Sequence, residues 1–291
     1  MKWLAILLAL MLSGAQAEEV SFKYNGTLLR ANLEKSDNWP AGPVVLLTHG
    51  TLAHNRMEII STLQELLTEN GISSLAINLS LGLNNRKSAM YDCATPHVHR
   101  HTDAVKEIGA WVEWLNFEDV KDIVLLGHSR GGNQTAWYAS ENPDKSVSRV
   151  ILLAPQTWSA EYAARDYEKR YGKPLQPVLE KALALVKAGR GEEMLEHVDF
   201  IYCKDTSVSA EAFVNYYKPE PRMDTPYLLG KIRLPVLLFV GTDDKVVKNL
   251  AEKLPPSTEN LKVVIVDGAD HFFRDLYAEE VVDEIMEFIG N

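Results

Sequence analysis

Short apolar runs alternate along this chain with stretches whose apolar positions recur at helical spacing. Runs of the first kind are rich in Val, Ile and Leu and lack polar alternation, as in strands buried on both faces. Val20 to Tyr24 and Thr27 to Leu33 flank Asn25-Gly26, a pair that accepts positive φ and so predicts a two-residue hairpin. Pro43 to Thr48 then reads as strand, Met57 to Glu69 as helix and Ile72 to Leu79 as strand. Thr102 to Leu115 reads as a helix with Val105, Ile108, Val112 and Leu115 on one face. After it come a strand from Ile123 to Leu126, a helix from Gly132 to Ser140, and strands at Val150 to Leu153, Pro235 to Val240 and Lys262 to Val266. A helix from Leu276 to Ile289 follows. This alternation predicts an α/β fold with a mostly parallel central sheet flanked by helices.

Between Ala154 and Ile232 the alternation stops. This region carries helical stretches rich in Tyr, Glu and Lys, the strongest from Pro177 to Ala188, and no convincing buried strand. The expected organisation is a core of residues 18–155 and 232–291, with residues 156–231 forming a helical lid inserted after the sixth core strand. An insertion at that place lies over the ligand-binding edge of such a sheet.

Ahead of the core, Lys2 precedes an apolar run from Trp3 to Leu12 and the small residues up to Ala17. A charged start, a short apolar stretch and an Ala-x-Ala end predict a secretory signal peptide over residues 1–17, with the mature chain starting at Glu18. The apolar run is too short to span a bilayer. An exported protein is expected, periplasmic or secreted, with no membrane insertion after cleavage. Export changes the reading of Cys93 and Cys203. In an oxidising compartment they form either one disulfide, tying the loop after the fourth strand to the insertion, or two buried thiols.

The 291 residues, 46% of them hydrophobic, suffice for one large core. A net charge of -10 argues against nucleic acid or an anionic membrane surface as partner. The only glycine-rich turn is Gly127-His128-Ser129-Arg130-Gly131, so no nucleotide cofactor is expected. That turn lies between the strand ending at Leu126 and the helix starting at Gly132, the context of a nucleophile elbow. A serine hydroxyl attacks only when held clear of the interior and relieved of its proton. In so tight a turn, side chains at Gly127 and Gly131 would collide, and glycine has no Cβ. The pattern also fits an ordinary glycine-rich turn, so it needs partners. The strand from Leu234 to Val240 ends in Gly241-Thr242-Asp243-Asp244, placing a carboxylate at the ligand-facing end of a parallel strand. Val263 to Val266 leads into Asp267-Gly268-Ala269-Asp270-His271, ahead of the final helix.

Pro-x-x-x-Leu-x-His-Gly at the third strand, Gly-His-Ser-x-Gly-Gly, Gly-x-x-Asp and Gly-x-x-His occur here together and in that order. In this the chain resembles the α/β-hydrolase superfamily from its N-terminal hairpin to its last helix. The resemblance implies a serine hydrolase with the triad Ser129, Asp244 and His271. Asp244 is preferred over Asp243 because it stands three residues after Gly241, and Asp270 is read as structural. The implied oxyanion donors are the N–H groups of Arg130 and of Thr51, in His49-Gly50-Thr51-Leu52, with His49 structural. The Arg130 side chain either packs along the elbow helix or pairs with an acid on the substrate or the insertion.

His97, His99 and His101 would face one way in an extended segment, and three imidazoles suit zinc. The triad needs no metal, so the run is read as part of a polar loop, Leu81 to His101, bordering the site. Tyr162, Tyr167, Tyr171, Tyr216 and Tyr217 either anchor the insertion or contact an aromatic or sugar-bearing ligand. The expected partner is a small-molecule acyl substrate, an ester or thioester cleaved through an acyl-enzyme. An amidase or peptidase on the same residues and a non-catalytic binding protein are the alternatives.

Overall fold

The computed structural model describes residues 17–290 apart from 142, 248, 249 and 258, so the expected signal peptide lies outside the described residues except for Ala17. β1 (Glu18–Tyr24) and β2 (Thr27–Glu34) form the antiparallel hairpin, with Tyr24 opposite Thr27. Asn25 and Gly26 take φ of 47° and 83°, the positive values this turn requires. Next come β3 (Val44–Thr48), α1 (Glu58–Glu69), β4 (Ser73–Asn78), α2 (His101–Phe117), β5 (Ile123–His128), α3 (Arg130–Ser140) and β6 (Val147–Leu153). The inserted segment holds α4 (Ala160–Tyr171), α5 (Gln176–Lys187), β7 (Met194–Phe200), β8 (Cys203–Ser209), α6 (Ala210–Tyr217) and α7 (Thr225–Leu229). β9 (Val236–Gly241), α8 (Leu250–Lys253), β10 (Leu261–Val266) and α9 (Leu276–Gly290) complete the order.

The main sheet runs β1-β2-β4-β3-β5-β6-β9-β10. Its first two pairings are antiparallel, and the rest, from β4 to β10, are parallel. Strand order reverses between β3 and β5: the chain leaves β3 for β4 on one side and later places β5 on the other. The crevice beyond the C-terminal ends of two such strands is where open α/β sheets bind ligands. Thr48 and His128 end the two strands, so the elbow opens into that crevice.

Every residue of β3, β4, β5 and β9 is buried, which explains their mainly apolar character. Leu46, Leu125, Leu152 and Leu238 face Ile108, Trp111 and Val112 of α2 and Trp137 of α3. Leu47, Leu126, Ile151 and Phe239 face Leu63 of α1 and Val281 and Ile285 of α9. Each such side chain contributes about 1.5–3 kcal/mol by leaving water. The scaffold beneath the crevice is therefore rigid.

The inserted segment differs from the expected all-helical lid. β7 and β8 form an antiparallel hairpin, with Leu195 opposite Val208 and Phe200 opposite Cys203. Sequence pattern missed it for two physical reasons. Register shifts after Leu195 and after Val198 break the period-two alternation by which strands are read. The turn at Ile201-Tyr202 also carries no Asn or Gly, although Ile201 takes φ of 55°. The insertion has its own core, in which Leu179, Leu195, Phe200, Val208 and Phe213 pack with Leu52 and Tyr91 from the main body. Cys93 and Cys203 are joined as a disulfide with Cα atoms 5.3 Å apart, which decides between the two readings of the cysteines.

Candidate active site

Ser129 takes φ 58° and ψ -123°, a conformation that costs a non-glycine residue about 1–3 kcal/mol. Hydrogen bonds on both sides hold it. Its N–H donates to Leu153 O at 2.9 Å, and its carbonyl accepts from Gln156 N at 2.9 Å. A Cβ at Gly127 would stand 2.5 Å from Gly131 O and from Thr135 Oγ1. A Cβ at Gly131 would strike the carbonyls of Thr48 and His49 at the end of β3 instead. Gly127 is thus required by the elbow, whereas Gly131 is required by the neighbouring strand. Gly50 completes the close approach, since a Cβ there would lie 3.1 Å from Ser129 Cβ.

The three expected side chains converge. His271 Nε2 lies 2.9 Å from Ser129 Oγ, and His271 Nδ1 lies 2.7 Å from Asp244 Oδ2. His271 is 5% exposed and Asp244 is 9% exposed, so the relay is shielded from water. Asp244 Oδ1 also accepts from the N–H groups of Val246 and Val247 at 2.7 and 2.8 Å. Burial pushes the Asp244 carboxyl up, but its bonds to His271 and the two amides outweigh burial and hold it below the usual value. An ionised Asp244 requires the proton on His271 Nδ1, which leaves Nε2 to accept from the serine hydroxyl. Asp243, the rival acid, is exposed and pairs with Lys245 at 3.6 Å. Asp270 accepts from Phe272 N at 2.8 Å, which agrees with its structural reading.

His49 accepts the Leu79 N–H on Nε2 at 3.1 Å, so Nδ1–H donates to Gly50 O at 3.0 Å. Burial first, and then Arg86, press its pKa down to about 3, and the neutral ring braces the loop carrying Thr51. Arg130 N–H opens α3, where a helical amide has no intrahelical acceptor. Arg130 Nε donates to Thr51 Oγ1 at 2.9 Å, and both residues line the crevice beside Ser129.

His128 was not singled out by the sequence. Its Nε2–H donates to the His271 carbonyl at 2.9 Å, and the two rings stand 4.9 Å apart. Burial, followed by the proximity of His271, lowers its pKa to about 4. His128 therefore holds the His271 loop as a neutral donor. Only its place beside the serine hinted at this, because its partner is 143 residues away.

The histidine run is not an open polar loop. His97, His99 and His101 are each at most 1% exposed and fill the seam between α3 and the insertion. His97 Nδ1 lies 3.2 Å from His99 Nε2, and His99 Nδ1 lies 2.9 Å from Tyr216 Oη. Burial lowers the pKa of His97 to about 4, and burial with nearby cations takes His99 and His101 well below the usual value. Among the described residues no group of three or more His, Cys, Asp or Glu is placed to hold a metal ion.

The crevice has a volume of about 810 Å³ and is walled by α4. All five singled-out tyrosines line the crevice, and four of them are also tied down by hydrogen bonds. Tyr167 and Tyr171 donate to Asp199 O and Ile201 O at 3.0 and 2.7 Å, and Tyr217 Oη accepts from Ile201 N at 2.9 Å. Tyr216 is tied to His99, while Tyr162 stands half-exposed on the wall.

The family model described as "Serine aminopeptidase, S33" matches residues 40–271. A bifunctional esterase/perhydrolase from Acinetobacter calcoaceticus is 26% identical over 200 residues, covering 63% of this chain and 71% of that protein. Est1E from Butyrivibrio proteoclasticus is similar in structure with a TM-score of 0.65 and 21% identity, over 94% of this chain and 99% of the other. A monoacylglycerol lipase from Paleococcus ferrophilus gives 0.58 and 22%, over 90% and 98%. The matched region runs from just before β3 through His271 and so contains the elbow, the acid and the histidine. This chain belongs to the serine aminopeptidase S33 family of α/β-hydrolases.

Proposed function

We propose that this protein cleaves a carboxylic ester or thioester through an acyl-enzyme, with Ser129 as nucleophile, His271 as base and Asp244 as the orienting acid. The observation that carries the reading is the unbroken hydrogen-bonded path from Asp244 through His271 to Ser129 Oγ, 2.7 and 2.9 Å long at its two steps, opening into the crevice. Ser129 Oγ attacks the acyl carbon while His271 Nε2 takes its proton. Asp244 stabilises the resulting imidazolium without accepting that proton. The carbonyl oxygen becomes an oxyanion facing the N–H groups of Thr51 and Arg130. His271 then protonates the leaving group. A water activated by the same imidazole releases the acid and restores Ser129.

The esterase name of the Acinetobacter calcoaceticus relative supports ester cleavage over a peptidase reading. The family description keeps an amidase or peptidase as the second reading. The segment around α4 acts as a lid over the bound acyl group. Residues 1–17 direct export, a reading that the Cys93–Cys203 disulfide supports. N-terminal sequencing of the exported chain checks it, with Glu18 as the expected first residue.

Ser129→Ala is expected to fold normally and lose about 10⁴-fold or more in turnover of short 4-nitrophenyl esters. A fluorophosphonate probe should label the wild type at Ser129 and leave the variant unlabelled. Parallel assays on aminoacyl 4-nitroanilides decide between ester and amide. Full activity in a clean Ser129→Ala variant would sink the mechanism.

A further inference from the structure

The chain carries a net charge of -10, yet its crevice is cationic. Arg130, Arg165, Lys169, Arg170, Lys245 and Lys253 line it, against the single acid Asp166. Three of these cations are matched by carboxylates. Arg170 pairs with Asp166 at 3.0 Å, Lys245 with Asp243 at 3.6 Å and Lys253 with Asp224 at 3.6 Å. Arg130, Arg165 and Lys169 have no carboxylate within ion-pair distance among the described residues. An acidic protein that concentrates unmatched positive charge at its reactive serine attracts substrates of negative charge.

Arg130 shows that this is more than a surface excess. Its guanidinium is positioned entirely by neutral groups. Nε donates to Thr51 Oγ1 at 2.9 Å, one Nη donates to His101 Nδ1 at 3.3 Å, and the Tyr216 ring lies 5.1 Å away. His101 is fixed as an acceptor toward Arg130, because its Nε2–H donates to Asn133 Oδ1 at 2.9 Å. Asn133 is oriented in turn, its amide donating to Arg222 O and Thr225 Oγ1 at 3.1 and 3.2 Å. This buried relay spends two of the five guanidinium N–H donors on positioning and leaves three for a ligand in the crevice that Arg130 lines. A guanidinium held by neutral acceptors keeps its full charge for a ligand, and its planar fork matches a carboxylate. Packing along the elbow helix would need none of these partners.

The geometry points to an anionic ester as substrate: a molecule whose acyl or leaving part carries a carboxylate or similar anion that Arg130 grips while Ser129 attacks. Arg165 and Lys169 on α4 line the approach. This inference rests on the serine-hydrolase reading above. Arg130 thereby serves twice, its amide facing the oxyanion and its side chain facing the substrate anion.

The test compares kcat/KM for matched esters. Mono-4-nitrophenyl adipate against 4-nitrophenyl hexanoate places the charge on the acyl side, and 4-acetoxy-3-nitrobenzoate against 2-nitrophenyl acetate places it on the leaving side. The wild type should prefer the anionic member of at least one pair by about 10-fold, less so in high salt. Arg130→Gln should bring that ratio to about parity, Arg130→Lys should keep part of it, and the double variant Arg165→Gln/Lys169→Gln should reduce it. Because the ratio is read within each variant, a general loss of activity does not imitate the effect. Ser129-dependent turnover with no anionic preference in either pair overturns the inference and leaves the hydrolase reading standing. A preference that survives Arg130→Gln overturns the assignment to Arg130. Failure of a fluorophosphonate to label Ser129 overturns the hydrolase reading, and this inference with it.

Discussion

The crevice has a floor, made by the loops after β3, β5, β6 and β9, and a wall, made by the inserted segment around α4, and the two are held by different physics. The floor stands on strands buried on both faces, and its side chains are placed by backbone amides and carbonyls. The wall stands on a small separate core, a bulged hairpin and a disulfide to the loop carrying the histidine run. Rigid strand ends suit chemistry that tolerates little displacement of the reacting atoms. A separately stabilised insertion suits recognition, because its residues can change without disturbing the sheet. Where floor and wall meet, His101, Asn133 and Tyr216 form a seam, and Arg130 lies in it.

Substitution of the two adjacent aspartates breaks the comparison most sharply. Asp244→Asn should lower kcat by about 10³–10⁴ with little change in KM, since it removes the acceptor that sets the His271 tautomer. Asp243→Asn, in the same turn but facing solvent, should stay within about 2-fold. Steady-state kinetics on a 4-nitrophenyl ester checks both. Comparable losses in the two variants would mean that the acid has been assigned to the wrong residue.

Acidification tests floor and seam together. His49 and His128 in the floor, and His97, His99 and His101 in the seam, all have pKa values lowered by burial. Below the ordinary histidine value of about 6.5 the unfolded chain takes up protons that the folded chain refuses, so stability falls as pH falls. Each group contributes up to about 1.4 kcal/mol per pH unit. Buried Glu107 opposes them over a narrower range, since burial raises its pKa to about 7 and it gains its proton early in the folded state. Urea midpoints measured between pH 7 and 5 should fall steeply. A flat profile would mean that these rings are not held neutral.

Opening the disulfide separates wall from floor with the smallest effect. The bridge spans 110 residues, and its loss through Cys93→Ser/Cys203→Ser should cost about 2–4 kcal/mol in denaturant unfolding. Fluorophosphonate labelling of Ser129 should persist, because the sheet carries the relay, while KM for esters rises as the wall loosens. Loss of labelling together with stability would show that the floor depends on the wall.

The legibility of the molecule follows the same division. The eight sheet strands were readable, because the inner ones are buried on both faces and read as mainly apolar runs, the first two flank a turn spelled by Asn25-Gly26, and Leu261–Val266 is rich in β-branched residues. The hairpin of β7 and β8 was not, because bulges erase alternation and a turn at Ile201-Tyr202 has no sequence signature. Ser129, Asp244 and His271 were readable because each follows a strand within a short local pattern. His128 and the His101–Asn133 support of Arg130 were not, because their partners are distant in sequence and only the packing of helices against the sheet brings them together.

The amino-acid sequence by itself thus determined the α/β scaffold, the order of serine, acid and histidine, and the presence of an insertion between the sixth strand and the next. Local propensity and burial pattern suffice for those. Tertiary structure decided that Asp244 rather than Asp243 meets His271, that Cys93 pairs with Cys203, and that the histidine run is a buried seam. It also decided that the Arg130 guanidinium, on a residue lining the crevice, is held by neutral supports. Each of these depends on which side chains share a desolvated volume, and that is set by long-range packing.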